Sequence, residues 1–241
     1  MNSVSEQKTS QTPEKARHVI AVDGPAGSGK SSVAKIIAEK IGFVHADSGA
    51  MYRTMTLALM EIAGENADFA TLLSSAEKIE EAFRMCDVRF ESGRQLNLIG
   101  GQDVGDRIRA ADVTTKIRYI ADNRKCRDSV NSLLRKFALS ADLVVDGRDI
   151  GTVVFPHTPY KFYLDASVAV RAARRVREHE LRGETVDPGR IALEIQQRDE
   201  QDKSRPFGAL VRAQDAILID TSDLEINSVV ARIISYLQLK F

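Results

Sequence analysis

The stretch that decides the fold reads Gly24-Pro25-Ala26-Gly27-Ser28-Gly29-Lys30-Ser31. It matches the phosphate-loop pattern G-x-x-x-x-G-K-[ST] at each fixed position. A β-rich apolar run at 18–22 precedes it, and apolar residues at helical spacing over 33–41 follow it. A strand, a glycine-rich turn and a helix start direct backbone N–H groups and the positive end of a helix dipole at one point. The sequence therefore predicts a site that binds the polyphosphate of a nucleoside triphosphate.

Two side chains of the loop have separate predicted roles. Lys30 is expected to reach the β- and γ-phosphates, and the hydroxyl of Ser31 is expected to bind Mg²⁺. Mg²⁺ is therefore the predicted cofactor. The predicted ligands of the donor nucleotide are Gly24, Pro25, Ala26, Gly27, Ser28, Gly29, Lys30, Ser31 and Ser32.

Further short apolar strands are predicted at 43–46, 143–146, 161–165 and 217–220. Helical segments are predicted over 49–62, 112–120, 123–139, 167–182 and 188–204. Apolar strands separated by helices indicate an α/β fold of three layers, with a central parallel sheet covered on both faces. Ligands of such sheets lie beyond the C-terminal strand ends. Five acids fall there: Asp23, Asp47, Asp146, Asp165 and Asp220.

Residues 87–99 have a different pattern, in which apolar and charged residues alternate around a Ser-Gly-Arg turn. This alternation predicts a small β-hairpin with one solvent-exposed face. Residues 1–16 are polar and nearly free of apolar side chains, and we expect them to form a flexible tail before a domain over 17–241.

The charge of the chain is balanced, with 34 basic and 34 acidic residues, so no net field attracts nucleic acid or an anionic membrane. One stretch, 107–136, carries nine Lys and Arg residues against three Asp. Such a stretch forms either a solvated helix face or, beside a phosphate site, an anion-binding surface. No apolar run has membrane-spanning length, and the two cysteines have no metal-site spacing. We expect a monomeric, cytoplasmic protein whose partners are small molecules.

The phosphate loop alone does not choose among a GTPase, a motor and a kinase. The guanine-reading N-K-x-D pattern and the D-x-x-G pattern are absent, which argues against a GTPase. A length of 241 residues leaves little room for a motor module. A small-molecule kinase fits better, and it requires a second pocket for the acceptor.

Two further stretches resemble motifs of the bacterial cytidylate (CMP) kinases. They are Asp47–Arg53, DSGAMYR, and Asp146–Pro156, DGRDIGTVVFP, of which the second is the more specific. Residues 198–205 are also similar to that family, and the hairpin near 87–99 looks like its acceptor-lobe insertion. The resemblance covers the chain from about Val19 to the C-terminus. Arg118 stands where we would align a sugar-contacting Ser, and Gln201 replaces a common Arg.

The resemblance implies phosphoryl transfer from ATP to CMP and dCMP with Mg²⁺. It also implies a core with an acceptor-binding insertion at about 47–140 and a helical lid at about 167–205. The acceptor-binding residues that it implies are Ser48, Arg53, Arg127, Gly147, Arg148, Asp149, Arg198, Asp202 and Arg205. Among them Ser48, Arg127 and Asp149 read cytosine, and Arg53 and Arg148 bind the acceptor phosphate. The catalytic residues would be Lys30, Arg148, Arg198 and Arg205.

The expected chemistry agrees with this resemblance. A phosphate monoester already carries an anionic attacking oxygen, so the enzyme needs cations that hold two polyanions together and no general base. The Asp149 carboxylate can accept from the amino group of cytosine and would repel the carbonyl of uracil. Two alternatives stay open: a phosphate-loop kinase of another specificity, such as a UMP/CMP or shikimate-type kinase, and a nucleic-acid-associated ATPase that uses the basic stretch 107–136.

Overall fold

The computed structural model describes residues 18–64, 69–91 and 93–238, so the predicted tail lies outside the described residues. The strands are β1 (Val19–Asp23), β2 (Val44–Asp47), β3 (Cys86–Glu91), β4 (Arg94–Ile99), β5 (Gln102–Asp103), β6 (Leu143–Gly147), β7 (Tyr160–Asp165) and β8 (Ile217–Asp220). The helices are α1 (Lys30–Ile41), α2 (Ser48–Ala63), α3 (Phe69–Ser74), α4 (Ala76–Met85), α5 (Ala111–Asp122), α6 (Arg124–Ala138), α7 (Val168–Glu180), α8 (Pro188–Ser204) and α9 (Ile226–Gln238). A 3₁₀ turn at Arg107–Arg109 and a π-helix at Ile150–Val154 complete the described elements.

The central sheet has five strands in the order β2-β6-β1-β7-β8, and each neighbouring pair is parallel. Alternate residues of β1 point to opposite faces. Ile20 and Val22 pack with α1 and α9, whereas Ala21 packs with α2 and α6. The sheet is thus covered on both faces, which confirms the predicted three-layer α/β fold and explains why its strands are almost wholly apolar.

The elements predicted from sequence are present with small shifts at their ends. Strand β8 and helix α8 have the predicted bounds, and β2 begins one residue later than expected. The predicted hairpin is also present, with β3 and β4 antiparallel and Arg89 opposite Leu96. The structure adds elements that the sequence analysis did not predict: α3, α4, β5, the π-helix and α9.

The chain between β2 and β6 forms a helical layer, α2 to α6, and the three-stranded sheet β3-β4-β5. This small sheet is attached to the end of β2 through one side chain. The amide of Gln95 accepts from Asp47 N at 2.7 Å and donates to Asp47 O at 3.2 Å. A side chain thereby satisfies the backbone groups of an edge strand, which would otherwise be left open.

Candidate active site

The phosphate loop follows β1 at the C-terminal edge of the sheet and ends at the first turn of α1. Gly24, Gly27 and Gly29 have φ angles of 153°, 79° and 85°, which disfavour any other residue. A Cβ on Gly24 would lie 2.1 Å from the carbonyl oxygen of Leu164 in β7, so the loop backbone is in close contact with the sheet. The backbone is therefore held where the N–H groups of the α1 N-terminus can bind an anion.

Lys30 is buried behind this loop, and its Nζ donates to Pro25 O at 3.2 Å. Burial, and then repulsion from Arg148, lowers the pKa of Lys30 to about 7. Burial followed by the charge of Arg148 also lowers the pKa of Arg198 to about 10. Lys30, Arg148 and Arg198 thus form a cluster of positive charge, which a bound polyanion would neutralise. The three side chains therefore mark a phosphate site.

A carboxylate faces Ser31 in the position where a divalent cation would need ligands. Ser31 Oγ donates to Asp146 Oδ2 at 2.5 Å, and His45 Nε2 lies 2.8 Å from Asp146 Oδ1. Burial raises the pKa of Asp146, but His45, Lys30 and Ser31 outweigh this effect and hold that pKa below its usual range. Burial and the Asp146 charge raise the pKa of the neighbouring Asp47. A hydroxyl and an ionised carboxylate are ligands that Mg²⁺ prefers.

The sequence analysis placed Asp146 at a strand end but assigned it no role. The signal for it was an apolar strand that ends in an acid beside the phosphate loop, and this signal was available in residues 143–146. Strand pairing places Asp146 opposite Asp47 on β2, and the residue after it, Gly147, opposite Asp23 on β1.

Asp23, the last residue of β1, fixes the segment that follows β6. Its two carboxylate oxygens accept from Ile150 N at 2.8 Å and Gly151 N at 2.7 Å, the first two amides of the π-helix. Burial raises the pKa of Asp23 to about 6, although these two hydrogen bonds oppose the effect. The end of the loop strand is thus bonded to the segment that carries Arg148 and Asp149. Sequence reasoning did not find this connection.

Arg127 of α6 and Asp149, which follows β6, form a buried ion pair. Arg127 Nη1 also donates to Ala121 O at 2.9 Å, and its guanidinium lies 5.4 Å from the ring centre of Tyr52. Burial raises the pKa of Asp149, and Arg127 opposes that rise. The Tyr52 hydroxyl is buried and has no hydrogen-bond partner among the described residues. The structure therefore brings two of the three predicted cytosine-reading residues into contact.

Asp202 of α8 joins two of the predicted phosphate-binding arginines. Its Oδ2 accepts from Arg148 Nε at 2.7 Å, and its Oδ1 lies 2.7 Å from Arg205 Nη2. Burial raises the pKa of Asp202, but the two arginines outweigh it, so the net pKa is below the usual value. Arg198 lies one turn before Asp202 on α8, and its guanidinium has no hydrogen-bond partner among the described residues, which leaves it available to a ligand.

The remaining predicted residues lie near this group but are engaged in internal hydrogen bonds. Ser48 Oγ donates to Asp146 O at 2.7 Å, and Arg53 Nη1 donates to Thr114 Oγ1 at 2.7 Å. A Cβ on Gly147 would lie 2.8 Å from Ser48 Oγ, so this glycine allows the close approach of α2. The ligand roles of Ser48, Arg53 and the other residues named above stay predictions.

Arg171 of α7 is a residue to which the sequence analysis assigned no role. Its guanidinium makes two hydrogen bonds to Asp199 of α8, at 3.1 and 2.6 Å, and a third to Ala26 O of the phosphate loop at 3.1 Å. Arg174, one turn later, donates to Thr221 O at 2.6 Å and to Gly27 O at 3.4 Å. Helix α7 is thus bonded directly to the phosphate loop, and α8 is connected to the loop through the contact between Asp199 and Arg171.

A phosphate loop on a parallel sheet, together with converging cations and a separate helical layer, defines the chain as a phosphate-loop kinase. A sequence profile of the cytidylate kinase family matches residues 20–239. The chain is 38% identical to the cytidylate kinase of Leuconostoc mesenteroides subsp. mesenteroides over 221 residues, which is 91% of this chain and 96% of that one. It is 41% identical to that of Exiguobacterium sibiricum over 216 residues, 89% and 94% of the two chains. The chain belongs to the cytidylate kinase family.

The fold is also similar to a crystal structure of an uncharacterized protein from Eubacterium ventriosum. The TM-score is 0.52 at 13% identity, with 92% of this chain and 99% of that chain covered. At such low identity the likeness concerns the fold alone. None of the described helices has both the length and the apolar character that a membrane span requires.

Proposed function

We propose that this chain transfers the γ-phosphoryl group of ATP to CMP and dCMP, with release of ADP, as a step of pyrimidine nucleotide metabolism. The observation that carries this proposal is the buried Arg127–Asp149 pair. Asp149 directly follows Arg148, and the next two backbone amides, Ile150 N and Gly151 N, donate to Asp23 at the end of the strand that precedes the phosphate loop. A base-reading group and a phosphate-binding group are therefore held at a fixed distance from the donor site. Membership of the cytidylate kinase family supports the same assignment.

Asp149 selects the base through the sign of its charge. Arg127 donates to Oδ2 of the carboxylate and opposes the rise in the pKa of Asp149 that burial causes. In the proposal the exocyclic amino group of cytosine donates to Oδ1, and the hydroxyl of Ser48 makes a further contact with the base. Uracil has a carbonyl at the corresponding position, which an ionised carboxylate repels.

Transfer proceeds by in-line displacement at the γ-phosphorus. An anionic oxygen of the CMP phosphate forms the new P–O bond, the bond to the β–γ bridging oxygen breaks, and its electron pair leaves on ADP. Lys30, Arg148 and Arg198 stabilise the charge on the transferring group. Burial, and then the charge of Arg148, lowers the pKa of Lys30 and of Arg198 in the free protein, and a bound polyanion offsets this cost. Arg53, Arg148 and Arg205 hold the acceptor phosphate, because a guanidinium can bind phosphate oxygens bidentately.

Mg²⁺ fits the donor side of this site. Ser31 and Asp146 supply hydroxyl and carboxylate oxygens, and His45 fixes the orientation of the carboxylate through its other oxygen. When bound, the ion neutralises phosphate charge and orients the triphosphate. We propose these two residues as the protein groups that hold it, directly or through water.

We propose that the partners of the chain are its small-molecule substrates and that the protein is a cytoplasmic monomer. The rival nucleic-acid ATPase would need a solvated basic face over residues 107–136. Several members of that stretch are already engaged: Arg107 pairs with Asp112, Arg135 donates to backbone carbonyls, and Arg127 is buried. This arrangement favours structural and small-molecule roles for the stretch.

A coupled assay of ADP formation tests the proposal. The acceptors are CMP, dCMP, UMP, AMP and shikimate, each with saturating Mg·ATP. We expect CMP and dCMP to give the highest kcat/KM. A higher value for any other acceptor would refute the assignment, and salt-sensitive binding of RNA or DNA in a gel-shift assay would favour the rival.

A further inference from the structure

Between α8 and β8 the chain runs without regular structure, and residues 205–210 cross the acceptor site. Arg205 Nε donates to Asp122 of α5 at 3.0 Å, which attaches the start of this segment to the helical layer formed by α2 to α6. The end is attached through Leu210, whose side chain is buried and whose N–H donates to Asp202 O at 2.8 Å. Between these points the ring of Phe207 lies 5.4 Å from the guanidinium of Arg124 on α6. The segment is therefore fixed at both ends and bridges α8 to α5 and α6.

At the middle of this segment Gly208 lies against the base-reading pair. An ideal Cβ on Gly208 would lie 1.9 Å from Nη2 of Arg127 and 2.4 Å from Oδ2 of Asp149. Both distances are far below any van der Waals contact between heavy atoms. Gly208 also has a φ of 61°, in the left-handed region that favours glycine. Two independent features, the space and the backbone conformation, thus require that this residue have no side chain.

The Arg127 guanidinium cannot move aside cheaply to make room. It is buried, donates to Ala121 O at 2.9 Å, pairs with Asp149, and lies over the ring of Tyr52 at 5.4 Å. Moving it would break a buried ion pair and leave a carboxylate without its cation, which is costly in a low-dielectric site. A methyl group at position 208 would therefore displace the segment or the pair.

We propose that Gly208 is a specificity-determining residue of the acceptor site, because its missing side chain lets the 207–209 backbone cover the Arg127–Asp149 pair. This inference rests on the proposed function, in which that pair reads cytosine. The covering backbone excludes water from the carboxylate and fixes the direction in which a base can approach it. Both effects strengthen the preference for an amino group over a carbonyl, because charge interactions grow as water is removed.

The test compares two glycine-to-alanine variants. Gly208→Ala adds the clashing methyl group. Gly42→Ala, at the end of α1, is the matched control, since Gly42 has a φ of 73° but a Cβ there would meet nothing within 4 Å. The measured quantity is the ratio of kcat/KM for CMP to that for UMP. We expect Gly208→Ala to lower this ratio at least tenfold with an unchanged KM for ATP, and Gly42→Ala to keep the ratio of the unaltered enzyme.

An equal ratio in both variants would overturn the inference, as would a tenfold rise in the KM for ATP in Gly208→Ala alone. Asp149→Asn separates this failure from failure of the proposed function. A ratio that stays high in Asp149→Asn refutes base reading by Asp149. A ratio that falls in Asp149→Asn but not in Gly208→Ala refutes only the role of Gly208.

A second variant decides the matter if Gly208→Ala does not fold. The triple variant Arg127→Ala/Asp149→Ala/Gly208→Ala removes both side chains with which the new methyl group collides. The inference predicts that its thermal midpoint equals that of Arg127→Ala/Asp149→Ala lowered only by the shift that Gly42→Ala shows. A triple variant that fails to fold, while Arg127→Ala/Asp149→Ala folds, would contradict the stated clash.

Discussion

The buried contact between Arg171 and Asp199 provides a sharp prediction, because the same helix offers an exposed counterpart. Arg171 makes two hydrogen bonds to Asp199, one to Ala166 O at 2.9 Å and one to Ala26 O at 3.1 Å, and its side chain is 4% exposed. Arg171→Met keeps the volume and removes all four. Asp199 then remains as a buried charge without a partner.

The expected loss follows from burial. Breaking a buried pair by removing one partner costs about 3–5 kcal/mol of the free energy of unfolding. At about 2–4 °C per kcal/mol for a chain of this size, the thermal midpoint falls by about 6–20 °C. Arg175, one turn along α7, pairs with Glu178 at 3.1 Å while its side chain is 47% exposed. Arg175→Met should cost no more than about 0.5 kcal/mol.

Urea unfolding followed by circular dichroism measures both variants, and a steady-state assay gives their KM for ATP. We expect Arg171→Met also to raise the KM for ATP, because Arg171 supports the phosphate-loop carbonyl of Ala26. The double variant Arg171→Met/Asp199→Leu should recover much of the stability, since it removes the uncompensated charge. Equal losses in Arg171→Met and Arg175→Met, both below about 1 kcal/mol, would refute the assignment of this pair as the connection between α7, α8 and the loop.

Three further predictions concern the donor site. The pKa of Lys30 is about 7 in the free protein, and a bound triphosphate raises it. ATP binding at pH 8 should therefore take up a proton that is not taken up at pH 6. Calorimetry in buffers of different ionisation enthalpy detects this proton uptake, and Lys30→Met should abolish it. Ser31→Ala should raise the Mg²⁺ concentration needed for half-maximal rate about tenfold or more, as a Mg²⁺ titration of the rate would measure, with little change in the unfolding midpoint. Gly24→Ala should destabilise the fold by about 1–3 kcal/mol, because its methyl group meets a backbone oxygen. The control Gly42→Ala, whose methyl group meets open space, should cost about 1 kcal/mol. Thermal melts measure both losses.

Local sequence pattern predicted the sheet, the phosphate loop and the hairpin because each depends on short-range signals. Strand β8 is one apolar run, 217–220, and the loop motif contains three glycines, Gly24, Gly27 and Gly29, whose backbone angles favour glycine. Helix α9 also carries a helical pattern that is visible in the sequence, because its buried apolar residues recur on one face: Val229, Val230, Ile233 and Leu237. This helix was therefore predictable from local sequence, although it was not among the predicted elements.

Other features depend on tertiary contacts and were beyond local reasoning. The π-helix at 150–154 is held by the carboxylate of Asp23, which is 127 residues away in the chain. Arg171 and Arg175 lie four positions apart on one helix, yet one is buried and the other is exposed. Nothing in the local composition distinguishes them, because the difference depends on where Asp199 of α8 packs. The contact of Gly208 with the Arg127–Asp149 pair is of the same kind.

A crystal structure with CMP and ADP bound tests the central claim most directly. We expect the amino group of cytosine to donate to Asp149 at about 3 Å, the usual hydrogen-bond length, and the CMP phosphate to contact Arg53, Arg148 or Arg205 and to face Lys30. Cytosine bound without a contact to Asp149, or CMP absent from the site at saturating concentration, would contradict it.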